Sequence, residues 1–148
     1  MIQDWTQRLS QALAETLTAL RSSVGSATIA RLAVDCHPWD GMLCLAILTQ
    51  DALDADPELA DPAEMAAWDL YDCGESVKAW TASAGLAADM KTAYDEADDP
   101  ADVADRFLNA CAHALKSQVV QKALSGLQTS DGFRITVTHP DTDHEYFS

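Results

Sequence analysis

Apolar side chains recur every three or four residues over the first part of the chain. This spacing is typical of one face of an amphipathic α-helix, and it predicts a helix with Asp4 as its N-cap. Gly25 and the serines beside it predict where that helix ends. The apolar positions that define the face are Trp5, Leu9, Leu13, Leu17 and Leu20.

The pattern changes at residues 27–36, where apolar and polar residues alternate as in a half-buried strand. Residues 42–48 are apolar on both faces, as in a central strand. Between them, residues 37–41 contain Pro38 and an Asp-Gly pair, which favour a reversal of the chain. We therefore predict a β-hairpin over residues 27–48. Cys36 and Cys44 lie nearly symmetrically about its turn, a placement that lets them face each other.

Residues 50–63 are acidic and contain two prolines, which predicts a loop with one helical turn. Asp61 followed by Pro62 is a helix-start pattern, with aspartate as the cap and proline at the first position. The sequence of residues 68–72 suits either a continuation of that helix or a short strand, and the pattern does not choose between them.

The second half of the chain predicts two helices and a final strand. Residues 80–94 have helical spacing, and an apolar stripe with four-residue spacing from Val103 to Val119 predicts a long helix that ends near Gly126. Alternation at residues 133–137 predicts a strand. The last ten residues, 139–148, are polar and predict a loose tail.

The order of these elements is helix, hairpin, acidic segment, helices and strand. It predicts an α+β fold, in which helices pack on one face of a small, mostly antiparallel sheet. The 148 residues fit one domain, 1–148, with a polar C-terminal tail at 139–148.

The charge distribution changes the functional picture. The chain has 24 acidic and 9 basic residues, and no basic residue lies between Arg31 and Lys78. Such a surface repels phosphate and anionic lipid, so we expect neither nucleic-acid nor membrane binding. It attracts a basic protein instead. An acidic bias of the whole source proteome would produce the same surface without any partner, and the sequence leaves that alternative open.

Other features of the sequence indicate a cytoplasmic protein without a cofactor. No stretch approaches the ~20 apolar residues of a membrane span. The first residues lack the basic and apolar regions of a signal peptide. The four cysteines form no Cys-x-x-Cys pair, so we expect free thiols.

No common catalytic motif is present, which favours a function other than catalysis. The best candidate for a divalent-cation site is a group of two histidines and two aspartates in the C-terminal tail: His139, Asp141, Asp143 and His144. A solvated polar tail explains the same residues. Cys36 and His37 resemble a nucleophile and its base, but strand neighbours point to opposite faces, so we expect no contact between them.

The candidate partner-binding residues are one aromatic residue and six acids. Trp39 is predicted to be exposed at the turn tip, whereas Trp68 and Trp80 are predicted to fill the core. The full set is Trp39, Asp40, Asp51, Asp54, Asp56, Glu58 and Asp61.

Three segments together resemble a family of uncharacterised, small acidic bacterial proteins, some encoded near polymorphic toxin systems. They are the hairpin turn with its following strand at 36–45, residues 67–71, and residues 133–137 with the Asp-rich tail. The resemblance covers about half of the chain. It implies an α+β fold and an immunity function, and it carries no catalytic residues.

Three functions follow from these observations. The first is a protein-binding module with an acidic face, such as an immunity-type inhibitor of a basic toxin or nuclease. The second is a metal-dependent or unfamiliar enzyme that uses the C-terminal histidines and aspartates. The third is a structural or regulatory subunit with an uncharged partner.

Overall fold

The computed structural model of the protein describes residues 1–148. The α-helices are α1 (Ile2–Val24), α2 (Gln50–Ala55), α3 (Ala82–Asp95), α4 (Pro100–Lys116) and α5 (Gln118–Leu124). The strands are β1 (Ile29–His37), β2 (Met42–Thr49) and β3 (Thr129–Thr136). Short 3₁₀ helices lie at Pro38–Asp40, Pro57–Ala60, Pro62–Ala67 and Lys78–Thr81. None of the helices combines the length and apolar character required to cross a membrane.

Helix α1 buries the apolar face that the sequence predicts, and it ends at Gly25, whose φ of 63° is in the left-handed region. The predicted N-cap is wrong, because the helix begins at Ile2 and Asp4 lies in its first turn. There the Asp4 carboxylate lies 3.7 Å from the guanidinium of Arg8. A negative charge in the first turn also interacts favourably with the helix dipole.

The predicted hairpin is confirmed. Strands β1 and β2 pair in antiparallel register, and the chain reverses through the 3₁₀ turn at Pro38–Asp40 and Gly41, whose φ is 61°. Facing cysteines were expected, but this is wrong. Cys36 pairs with Leu43 and Cys44 pairs with Asp35, so the two thiols lie on opposite faces of the sheet. All four cysteines are free.

The sheet is mixed, so the expectation of a mostly antiparallel sheet is wrong. Its strand order is β2-β1-β3, with β1 in the centre, and β3 runs parallel to β1. Between β2 and β3 the chain crosses the sheet through α3, α4 and α5, which lie on one face, and β3 then runs in the direction of β1.

The two faces of the sheet have separate apolar clusters. Four helices, α1, α3, α4 and α5, pack on one face around a core of 29 buried residues, which confirms the predicted arrangement. Residues 50–72 cover the other face with a smaller cluster that includes Met65 and Trp68. Trp68 and Trp80 are each 4% exposed, as predicted for core residues.

The long C-terminal helix is interrupted at Ser117. This residue has an extended conformation, and its hydroxyl donates to the carbonyl of Ala114 at 2.6 Å. The apolar stripe therefore holds as far as Leu115, and the interruption then rotates the following residues. Val119 is 40% exposed, while its neighbour Val120 is fully buried.

The C-terminal residues are folded back on the sheet, so the prediction of a loose tail is wrong. The Tyr146 N–H donates to the Val137 carbonyl at 2.8 Å. The Glu145 carboxylate accepts from the N–H groups of Val137 and Phe147, both at 2.9 Å. These bonds fasten the tail beside the end of β3.

Candidate functional site

Residues 50–72, the acidic segment, form three short helices on the sheet face opposite the main core. The sequence predicts a loop with one helical turn, and capping side chains explain the additional structure. Thr49, Asp56 and Asp61 each accept a backbone N–H from two or three residues further along. Proline follows both aspartates. The predicted helix start at Asp61 is confirmed.

A hydrogen bond of Trp68 holds two parts of the acidic segment together, and contacts of Asp69 and Leu70 fix the segment to the sheet. The Trp68 indole N–H donates to the Leu59 carbonyl at 2.8 Å. The Asp69 carboxylate accepts from both the N–H and the hydroxyl of Thr49, at 3.0 and 2.6 Å. Leu70 forms an isolated antiparallel bridge with Ile47 in β2. The bridge answers the question left open for residues 68–72, because they contribute one bridge and no continued helix.

The acidic segment is also attached to the sheet through three hydrogen-bonded side chains, those of Tyr71, Asp35 and His37. The Tyr71 hydroxyl donates to one oxygen of Asp35 at 2.6 Å, and Nε2 of His37 lies 2.9 Å from the other oxygen. Asp35 and His37 are two residues apart on β1, so they share the face that the acidic segment covers. Both side chains are largely buried, at 16% and 23% exposed.

This geometry alters the titration of all three groups. Burial alone raises the pKa of Asp35, but hydrogen bonds from His37 and Tyr71, and the charge of His37, bring it below its ordinary value. The hydrogen bond to Asp35 raises the pKa of His37 against the effect of burial, and the charges of Asp35, Asp40 and Asp141 raise it further. Burial and Asp35 also raise the pKa of Tyr71.

The cysteine thiols near Tyr71, Asp35 and His37 are not activated as nucleophiles. Burial and the charge of Asp72 raise the pKa of Cys44 to about 11, so it stays protonated at neutral pH. Cys36 is buried in the main core, 3.5 Å from the sulfur of Met90, and its pKa is also raised. The expectation that Cys36 and His37 point to opposite faces is confirmed. The hydrogen bonds among Tyr71, Asp35 and His37 therefore fit a role in positioning the acidic segment better than a role in nucleophilic catalysis.

A cavity of about 270 Å³ lies between β1, the acidic segment and the C-terminal turn. Its polar lining comes from Asp35, His37, Thr138, His139 and Asp143. Trp39 lies close by and is half-buried, in contrast to the exposure expected at a turn tip. Its ring packs against the rings of His37, Tyr94 and His139, with centroids 5.7, 6.4 and 5.5 Å away.

The predicted partner-binding acids are all exposed: Asp40, Asp51, Asp54, Asp56, Glu58 and Asp61. Asp40 precedes β2 and Asp51 follows it, and a strand of this length spans about 25 Å. Five of the six acids lie in the acidic segment, which returns over the sheet towards the hairpin turn. The acids therefore extend along the sheet and do not form one compact patch.

The acids between Arg31 and Lys78 have no lysine or arginine partner. Eleven carboxylates lie in this stretch, and none forms an ion pair with lysine or arginine. Residues 95–105 contain a second run of acids, and this run differs in that respect. Lys91 lies 2.8 Å from Asp95, and Arg106 lies 2.9 Å from Asp102. The two acidic stretches therefore differ in how much of their charge is paired with lysine or arginine.

The predicted metal ligands do not converge. No group of three or more His, Cys, Asp or Glu side chains is arranged to hold a metal ion. Nδ1 of His139 accepts from the N–H groups of Asp141 and Thr142, at 3.1 and 3.3 Å. The ring of His144 packs edge-on against that of Tyr146, 4.6 Å between centroids. The metal-dependent enzyme therefore remains an alternative without a site arranged to support it.

The sequence predicts only part of the hydrogen-bonded arrangement of Tyr71, Asp35 and His37. Strand alternation places Asp35 on the polar face of the predicted hairpin, and His37 lies two positions further on. Nothing in the sequence pairs Asp35 with Tyr71, which lies 36 residues away and approaches only because the acidic segment folds over the sheet.

We compared the protein with known protein families, curated proteins and solved structures. No protein-family model, no curated protein and no solved structure matches it significantly. The resemblance to small acidic bacterial proteins therefore stays an expectation from the sequence, and the functional interpretation depends on the residues and their geometry.

Proposed function

We propose that the protein is a binding module whose acidic segment docks onto a basic protein, in the manner of an immunity-type inhibitor of a toxin or nuclease. One observation carries this proposal. The acids between Arg31 and Lys78 are mostly exposed, and none is paired with a lysine or an arginine. Their potential is therefore available to a partner, whereas part of the charge at residues 95–105 is already neutralised.

The anchoring of the acidic segment supports the proposal. Binding is weakened when a flexible loop must become ordered at the interface. Here the bonds of Asp69 and Tyr71 hold the segment against the sheet before any partner arrives, and the bond from Trp68 to Leu59 holds the segment together. A preformed acidic surface also accelerates encounter with a cationic partner, and this effect decreases with salt.

The proposed partner is a protein because other polyions fit poorly. Nucleic acid and anionic lipid both carry negative charge, which the acidic segment repels. As part of the same proposal we place the protein in the cytoplasm, where its four free cysteines would remain reduced.

The experiment compares three baits in affinity capture from lysate of the source organism. The segment variant carries Asp51→Asn, Asp54→Asn, Glu58→Gln and Glu64→Gln, and it keeps the capping residues Asp56 and Asp61. The control variant neutralises four exposed acids elsewhere that form no ion pair. Its substitutions are Glu15→Gln, Glu96→Gln, Asp98→Asn and Asp131→Asn.

We expect the wild type and the control variant to retain one basic protein that the segment variant loses. With purified partner, the segment variant should raise Kd about tenfold or more. Four surface pairs at about 0.2–1 kcal/mol each reach the ~1.4 kcal/mol that a tenfold change requires. Affinity should also weaken steeply between 50 and 300 mM sodium chloride. Capture of no protein, or equal binding by the segment variant, would overturn the proposal.

A further inference from the structure

Two arginines lie side by side where β1 and β3 meet. In the parallel register Arg31 is the partner of Arg134, so both side chains leave the same face of the sheet. Neighbouring strands are about 4.8 Å apart, which brings two positive charges close together. Burial and, after it, the charge of Arg134 lower the pKa of Arg31.

Neither arginine has a carboxylate partner, although the chain has 24 acids and 9 bases. Arg31 donates to the carbonyls of Ala30 and Gly132, at 2.8 and 3.1 Å. Arg134 has no hydrogen bond from its side chain to the rest of the protein. Guanidinium donors suit the oxygens of carboxylate and phosphate, and such a ligand would also relieve the repulsion between the two charges.

A second observation points to the same place. Thr136 lies two residues beyond Arg134 and so faces the same side of β3. Its hydroxyl oxygen is buried and has no hydrogen-bond partner. Buried polar groups are nearly always satisfied, and one that is not calls for an explanation such as an absent ligand.

These three side chains line one groove of about 660 Å³, which is large enough for a small organic ligand. Pro62 and Phe147 provide apolar surface beside them. Glu145 also lines the groove, but its carboxylate already accepts from Val137, Thr138 and Phe147. It forms no ion pair with Arg31 or Arg134.

We propose that Arg31, Arg134 and Thr136 form a binding site for the oxyanion group, carboxylate or phosphate, of a small molecule. The guanidinium groups hold two of its oxygens, and the threonine hydroxyl donates to the same group. This site does not require the basic partner proposed above, so each proposal can fail without the other.

The test is an NMR titration of the ¹⁵N-labelled protein with inorganic phosphate and, separately, with succinate. Ionic strength is held constant with sodium chloride. We expect saturable shifts confined to amides near residues 31–33 and 132–136. Saturation by phosphate alone or by succinate alone identifies which oxyanion the site takes. Shifts that do not saturate, or that chloride reproduces, would overturn the site.

Variants separate binding from folding. Arg31→Gln with Arg134→Gln should weaken binding at least tenfold and leave the fold intact, since it removes a repulsive pair. The matched control, Arg8→Gln with Arg106→Gln, removes two arginines that are ion-paired on helices and should bind like the wild type. Thr136→Val should weaken binding severalfold without lowering the melting temperature, because it removes an unsatisfied hydroxyl. Unchanged binding in the double arginine variant would refute the proposal.

Discussion

Replacing Tyr71 by phenylalanine tests how strongly the acidic segment is fastened to the sheet. The change removes one hydroxyl, whose bond to the Asp35 carboxylate is 2.6 Å long. A hydrogen bond to a charged group contributes about 1.5–3 kcal/mol to stability, and the partial exposure of Tyr71 favours the lower half of that range. We expect Tyr71→Phe to lower the free energy of unfolding by about 2 kcal/mol.

The same figure predicts the thermal shift. A chain of 148 residues has an unfolding entropy of about 0.3 kcal/mol/K near its melting temperature. A loss of about 2 kcal/mol therefore lowers the melting temperature by about 6 °C. Urea denaturation at pH 7 and calorimetry measure the two quantities. The pKa of Asp35, followed by NMR of its carboxyl carbon, should rise because the hydrogen bond from Tyr71 holds it down.

Tyr94→Phe is the matched control. The Tyr94 ring packs against Trp39, and its hydroxyl makes no hydrogen bond within the protein, so stability should change by less than about 0.5 kcal/mol. If Tyr71→Phe changed stability as little as Tyr94→Phe, or left the pKa of Asp35 unmoved, the bond would not anchor the segment.

Three further predictions concern other parts of the fold. In urea denaturation, Val120→Ala should lower stability by about 2 kcal/mol and Val119→Ala by less than about 0.5, because only Val120 is buried; equal effects would contradict the helix break at Ser117. Gly74→Ala should lower the melting temperature by several degrees, since a Cβ there would lie 2.7 Å from the Trp80 ring, while Gly132→Ala, with open space around it, should not. The raised pKa of His37 means that its charge contributes stability fully below pH ~6.5 and loses this contribution as pH rises through the raised value. The stability difference between the wild type and His37→Gln should therefore shrink from pH 6 to pH 9, and a difference that grew would reverse the assigned sign.

The sequence correctly predicted the elements that are determined by neighbouring residues. The apolar spacing of α1 and the Pro-Trp-Asp-Gly turn of the hairpin are properties of neighbouring residues, and both are found in the structure. Alternation also predicted a strand at residues 133–137, but the period of a strand is the same in either direction. The parallel pairing of β3 with β1 depends on the path of the helices between them, which no residue of β3 encodes.

Two other differences between prediction and structure, the end of α4 and the ordered C-terminal residues, arise from hydrogen bonds of single side chains. Ser117 ends α4 through its own hydroxyl, without the glycine or proline that normally indicates a helix end. Glu145 holds the C-terminal residues through three hydrogen bonds that no periodicity reveals. Of the candidate site, the unpaired acids follow from the absence of lysine and arginine nearby, whereas the link from Tyr71 to Asp35 requires the folded acidic segment.

The position of β1 at the centre of the sheet has a consequence for folding during synthesis. One neighbour, β2, begins a few residues after β1 ends, but β3 follows only after roughly 90 more residues. At about 5–20 residues per second, β1 waits several seconds on the ribosome with one edge unpaired. An open edge is a template for association with other chains. Arg31 projects beside that edge, where its charge disfavours such association until β3 arrives.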